Sequence, residues 1–124
     1  MAYEVPVLIL SFEADGDLSA KQFYAVKMST GPKVAIISGA TDVPIGILQN
    51  NPTDGKMAEV MVFGVSKVSS DAALTVGTVI APQTDGQLEA ADSGDYPIGQ
   101  VIKASGAADE IATAVIWPGR VAKA

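Results

Sequence analysis

The residues best suited to chemistry are carboxylates in two short acidic segments. Glu13, Asp15 and Asp17 alternate along the chain, as oxygen ligands do in calcium-binding loops. The rest of such a loop, including its closing glutamate, does not follow. Asp92 and Asp95 could form a carboxylate pair, but they flank a Ser-Gly dipeptide that is typical of a turn. We therefore expect solvated turns at both places and no metal site.

Nucleophilic catalysis lacks an obvious base in this chain. The sequence contains no histidine and no cysteine, which removes the commonest general base, the thiol nucleophile and thiolate metal ligands. A serine would need lysine or a carboxylate as its base, and no Ser-x-x-Lys motif stands out. Residues 94–99 lack the glycine spacing of a dinucleotide or phosphate loop. We predict that the protein is not an enzyme and binds no cofactor.

The composition favours one small β-rich domain. Of the 124 residues, 48% are hydrophobic but only 6% aromatic, and the remaining apolar side chains suit pleated strands. Twelve glycines and seven prolines divide the chain into short segments. The net charge of −6, with a single arginine at position 120, opposes nucleic-acid binding. The longest apolar run, residues 5–10, is too short to span a bilayer, and residues 1–4 lack the positive region of a signal peptide. We expect synthesis in the cytoplasm and no membrane partner.

One motif occurs twice in the chain. Asp-Val-Pro-Ile-Gly-Ile at residues 42–47 matches Asp-Tyr-Pro-Ile-Gly-Gln at residues 95–100. Each copy leads into an alternating apolar run, at residues 57–63 and 111–117, which is the period of a strand. Weaker similarities upstream keep the same order, which indicates a duplicated unit.

We interpret residues 18–68 and 74–121 as the two copies, within one β domain spanning residues 18–124. Each copy is predicted to form four short strands. The fold class is therefore all-β: a small barrel or sandwich built from two internal repeats, with at most short helical turns. One such turn is predicted from Ser70 to Leu74. Residues 1–17 are predicted to form an N-terminal arm that contains a strand.

Four segments carry a resemblance to a known family. The layout resembles small bacteriophage head-decoration proteins, also called capsid cement proteins. The segments are Leu-Ser-Ala-Lys-Gln-Phe-Tyr-Ala-Val at residues 18–26, Pro-Ile-Gly-Ile-Leu at 44–48, Glu-Val-Met-Val-Phe-Gly-Val at 59–65 and Leu-Thr-Val-Gly-Thr-Val-Ile at 74–80.

The resemblance implies a protein that binds the outside of an assembled capsid, commonly as a homotrimer, and clamps neighbouring copies of the major capsid protein. In several members the N-terminal arm becomes ordered only on the capsid, where it adds a strand to the capsid protein. The function predicted here is accordingly capsid decoration on the outer surface of the mature head, with stabilisation of the lattice.

Four residues of the arm are the predicted capsid contacts: Tyr3, Val5, Val7 and Ile9, which share one face of a strand. The alternative is that the segment forms an edge strand of the domain's own sheet. Trp117 and Phe63 end the two matching strands. Both could anchor an interface or pack in the core. We expect Phe63 in the core, whereas for Trp117 the core and an oligomer interface both stay open.

Two other functions compete with decoration. One is a different virion β-module, associated with a tail or a fibre. The other is a module that binds carbohydrate or a host surface. Sugar sites usually present exposed aromatic rings, and the aromatic residues of this chain are few and scattered.

Overall fold

The chain is all-β in the computed structural model, which describes residues 2–39 and 42–117. No helix forms within those ranges, and none there could cross a membrane. The predicted fold class is confirmed. The strands are β1 (Val5–Ala14), β2 (Ala25–Met28), β3 (Lys33–Ile36), β4 (Pro44–Leu48), β5 (Met57–Ser69), β6 (Val79–Pro82), β7 (Leu88–Ala90), β8 (Gly99–Lys103) and β9 (Ile111–Ile116).

The helical turn predicted from Ser70 to Leu74 is wrong. Ser70 extends β5 into a parallel bridge with Leu88, and Leu74 forms an antiparallel bridge with Ser105. The Ser70 hydroxyl donates to the carbonyl oxygens of Ala107 and Glu110, at 3.0 and 2.9 Å. It is therefore engaged by a distant loop and does not cap a local turn.

The first half of the chain closes into a ring of strands. β1 pairs in parallel with β3 and antiparallel with β5, while β2 lies between β3 and β4, and β4 completes the ring by pairing with β5. Alternation places one face of each strand inside the ring. The buried interior consists of Ala14, Leu18, Val26, Val34, Leu48, Ala58 and Val60.

The second half repeats this topology with β5 as the shared strand. β5 pairs with β9, β9 with β8, β8 with β6 and β6 with β7. The parallel bridge between Ser70 and Leu88 then returns the ring to β5. Gly64, at φ +138°, lies where β5 passes from the first ring to the second. A glycine tolerates this dihedral angle without strain.

The pairing register is the same in both rings. The parallel closures are Ala14 with Val34 and Ser70 with Leu88. Three antiparallel pairs of the first ring also have counterparts in the second. Val26–Ile36 of the first ring corresponds to Ile80–Ala90 of the second. In the same way, Leu48–Val60 corresponds to Val101–Ala114, and Glu13–Met57 corresponds to Ser69–Ile111. β1 thus has the same position in the first ring as the second half of β5 has in the second ring.

The repeated Pro-Ile-Gly motif marks a close approach of two strands. A β-carbon on Gly46 would overlap the Met61 carbonyl oxygen, and one on Gly99 would overlap that of Val115. Only glycine allows this spacing. The motif therefore recurs because both rings contain the same contact.

The two rings share an apolar interface. Ala25, Ile37 and Ile47 from the first ring are almost fully buried in one cluster with residues of the second, including Ile98 and Ile116. Gly86 belongs to the turn between β6 and β7, and its carbonyl oxygen accepts the Ala25 N–H at 2.8 Å.

The face of the second ring that corresponds to the first ring's side of this interface is more polar. Gln100 corresponds to Ile47, and Ala91 corresponds to Ile37. Gln100 is exposed and Ala91 is half-buried. A polar outer face is what a terminal repeat requires, so this end of the molecule is suited to water.

Candidate interaction surface

The four predicted contact residues all lie on the surface. Tyr3 is 46% exposed, Val5 52%, Val7 66% and Ile9 39%. The structure therefore presents together the side chains that the sequence singled out. Val5, Val7 and Ile9 lie in β1, and Tyr3 lies just before it. Because β1 pairs with β5, this segment is a strand of the protein's own sheet, which is the alternative given above to an arm that adds a strand to the capsid protein.

The exposed apolar surface is larger than the sequence indicated. Leu8 and Leu10, from the opposite face, are also 45% and 38% exposed. Irregularities in the pairing with β5 flank Leu8 and interrupt strict alternation. The first half of β1 thus forms a ribbon, residues 5–10, that is apolar and exposed on both faces.

Phe63 adds an aromatic ring beside this ribbon, and its predicted place in the core is wrong. It pairs with Leu8 across the strands and is 42% exposed. Its neighbours on β5, Val62 and Gly64, are buried, so the alternation of the strand turns the Phe63 side chain outward. The period-two pattern gave the alternation, but it did not show which face was covered.

The ribbon also has an unpaired backbone edge within the described part of the chain. One edge of β1 pairs with β5 from Val5 to Glu13. Among the described residues, the other edge pairs with β3 at Glu13 and Ala14, and no strand of residues 2–39 or 42–117 lies beside residues 5–12 on this edge. Unpaired N–H and C=O groups on an apolar strand are a template for another strand.

Carboxylates lie at both ends of the ribbon. Glu4 precedes it and is exposed, while Glu13 follows it and forms an ion pair with Lys33 at 3.3 Å. Between them the only polar side chain is Ser11, whose hydroxyl donates to the Glu59 carboxylate at 2.9 Å. The surface is therefore an apolar segment with acidic ends.

The first acidic segment uses its carboxylates as local acceptors. The Ser29 hydroxyl donates to Asp15, and the Ser19 N–H donates to Asp17 at 3.0 Å. Hydrogen bonds from the Ser19 side chain and backbone lower the pKa of Asp17. Within the described ranges, no three carboxylates gather as a metal site.

The second acidic segment is a turn around a buried carboxylate. Asp95 accepts the Asp92 backbone N–H at 2.9 Å and the Gln83 side-chain amide at 3.2 Å. Asp92 therefore takes part in this turn through its backbone N–H. Nearby, burial and then the charge of Asp71 raise the pKa of Glu89.

Trp117 follows directly after β9 and is half-buried. Its backbone N–H donates to the Ile98 carbonyl oxygen at 3.2 Å. This bond fixes the backbone near the joint between the rings. The role of the indole in an oligomer stays a prediction.

Comparison with known proteins gives a structural similarity. No family model matches the chain, and no curated protein matches its sequence. Among solved structures, the chain is similar to the N base of the head fiber protein gp8.5 of bacteriophage phi29. The TM-score is 0.70 at 13% sequence identity, over 92% of this chain and 97% of that one. At this identity the similarity concerns the fold.

Proposed function

We propose that this chain is a structural protein of a bacteriophage virion that decorates the outer surface of the head and stabilises the capsid lattice. The observation that carries the proposal is the exposed apolar ribbon, residues 5–10, with its unpaired edge. The fold similarity to a head fiber base supports placement on the head. The resemblance of residues 18–26 and 44–48 to decoration proteins supports the cement function.

The ribbon has the physical properties of a docking surface. Contiguous apolar surface of this kind is rarely left exposed on a protein that has no partner. Burying the exposed part of a half-exposed aliphatic side chain contributes about 1 kcal/mol, and the ribbon offers five such chains: Val5, Val7, Leu8, Ile9 and Leu10.

Stabilisation of the lattice follows from linkage. A protein that binds the assembled shell but not its dissociated subunits shifts the equilibrium towards the shell. A homotrimer that touches several subunits of the major capsid protein would add an avidity effect, since each further contact is intramolecular. In that assembly we place Trp117 at the contact between copies. Sedimentation velocity of wild type and Trp117→Ala tests this, because a wild-type monomer would exclude it.

The proposal is tested with expanded phage heads prepared without this protein. Wild type should co-sediment with the heads and raise their disruption temperature. Val7→Lys places a charge in the ribbon and should weaken binding at least tenfold. Val76→Lys is the matched control, because Val76 is 67% exposed and Val7 66% exposed, and it should bind as wild type does. Absence of wild-type binding, or equal loss in both variants, would contradict the proposal.

The similarity to a head fiber base favours a second candidate, the base of a head fibre. Both candidates predict binding to the head, but they differ in what the bound protein supports. Electron microscopy of labelled virions distinguishes them. Decoration gives a regular layer of density over the shell, whereas a fibre base lies beneath a projecting fibre.

A further inference from the structure

We infer that the unpaired edge of β1 accepts an antiparallel extended segment of a different protein, apolar in its centre and flanked by lysine or arginine. This inference rests on the proposed function and names the chemistry of the partner at the same surface. In this binding mode β1 accepts a strand from the partner. A free arm would instead donate its own strand to the partner, whereas β1 is already held in the protein's own sheet by β5.

The duplicated architecture supplies a template for this binding mode. Ala14 and Ser70 hold the same place in the two rings, since each forms the parallel closure. Counting back from them, residues 5–9 of β1 correspond to residues 61–65 of β5. On β5 that stretch carries an antiparallel strand on the same edge as the closure, with Val65 paired to Val5 and Met61 to Ile9.

The two corresponding edges differ in their occupancy within the described residues, and the β1 edge also contains Pro6, which has no backbone N–H. The edge of β5 is covered by β1, and there Met61 and Val62 are buried. The matching edge of β1 has no strand beside it from the part of the chain that the structure describes, and its side chains are exposed. The geometry that holds one antiparallel strand in this molecule is thus present a second time and open.

Charge argues that the added strand is not a second copy of β1. Two copies of β1 paired antiparallel, with Val5 opposite Phe12, would place Glu4 of each copy opposite Glu13 of the other. Directly opposed like charges destabilise a strand pair. The net charge of −6 adds a general repulsion. A segment with basic residues at both ends would instead face a carboxylate at each end.

The test uses the full-length protein and synthetic peptides. Each peptide contains residues 5–12, the segment that covers the corresponding edge of β5, flanked at both ends by two lysines or by two glutamates. Amide hydrogen exchange of the protein reports the binding site, and titration reports the affinity. We expect slowed exchange within residues 5–12, and about tenfold weaker binding of the glutamate-flanked peptide at low salt.

A second pair of lysine-flanked peptides tests backbone pairing directly. N–H groups of a strand point alternately to its two edges, so N-methylation of alternate residues blocks one edge only. One peptide is methylated at its odd positions and the other at its even positions except Pro6, which already lacks an N–H. The two should differ in affinity at least tenfold. Equal affinities would indicate docking by side chains alone and would overturn the inference.

Two further results would also overturn it. One is slowed exchange only outside residues 5–12. The other is dimerisation of the free protein through β1, seen by sedimentation together with slowed exchange of residues 5–12 without peptide. If these tests fail while the protein still binds heads, the docking mode is wrong and the proposed function stands. If peptides bind as expected but heads do not, the proposed function is wrong.

Discussion

The paired glycines of the repeated motif give a quantitative test of the two-ring architecture. We consider Gly46→Ala and Gly99→Ala, which add one methyl group each. At Gly46 the new β-carbon would overlap the Met61 carbonyl oxygen and lie 2.7 Å from Val60 Cγ1. At Gly99 it would overlap the Val115 carbonyl oxygen. Both obstacles include backbone atoms, which cannot rotate away as a side chain can.

The expected loss of stability is about 2 kcal/mol for each substitution. Overpacking a filled site costs about 1–3 kcal/mol, and the upper end applies here because the nearest obstacles are backbone oxygens. The reduced freedom of the unfolded chain returns about 0.4–1 kcal/mol when alanine replaces glycine. For a domain of this length, a loss of about 2 kcal/mol lowers the Tm by roughly 8 °C. Because β5 belongs to both rings, each substitution should shift one common transition.

Urea denaturation followed by circular dichroism and by Trp117 fluorescence measures this loss. Gly39→Ala is the matched control, since nothing lies within 4 Å of its β-carbon position and its φ is not positive. It should change the free energy of unfolding by less than about 0.5 kcal/mol. Wild-type stability of Gly46→Ala and Gly99→Ala would refute the close approach. A loss in only one of them would refute the equivalence of the rings.

Two further predictions concern polar contacts. The hydrogen bond from Lys27 is the main cause that lowers the pKa of Asp42 from 3.8 to about 2. Its stabilisation is therefore present above pH 3.8 and lost as the pH falls towards 2. Since each side chain is about a quarter exposed, we expect at most about 1 kcal/mol. Urea titrations at pH 7 and 2.5 should show a smaller pH dependence in Asp42→Asn, and an unchanged one would contradict the ion pair. Gln87 is 4% exposed and donates to Asp109 at 2.7 Å and to Ser69 at 3.1 Å. Gln87→Leu should lower the free energy of unfolding by about 1–3 kcal/mol by leaving acceptors unpaired, and wild-type stability would contradict this.

The sequence predicted the strands well because alternation is local information. The run at residues 57–63 lies in β5, and residues 111–116 of the second run form β9. The repeated glycine motif has one structural cause in both copies. Alternation does not identify the covered face, which depends on distant strands. Phe63 was therefore misplaced.

The closure of the rings could not be predicted from the sequence. It depends on parallel pairs that join distant segments, such as Ala14 with Val34. The alternating run recognised in the sequence stops at residue 63, whereas β5 continues through Gly64 and joins the two rings. The division between an arm at residues 1–17 and a domain at residues 18–124 stays a prediction.

The candidate site was partly visible in the sequence. Tyr3, Val5, Val7 and Ile9 were singled out from an apolar segment near the start of the chain, and all four are exposed. The exposure of the opposite face, the unpaired edge and the ring of Phe63 required the tertiary structure. These features follow from which strands reach the first half of β1, and no local pattern encodes that.

An electron cryo-microscopy reconstruction of expanded heads incubated with the purified protein would show whether the protein binds the head through β1. We expect density on the outer surface of the shell, oriented so that residues 5–10 and Phe63 face the capsid protein. Heads that remain bare at saturating protein, or bound copies whose β1 faces solvent while another surface makes the contact, would contradict it.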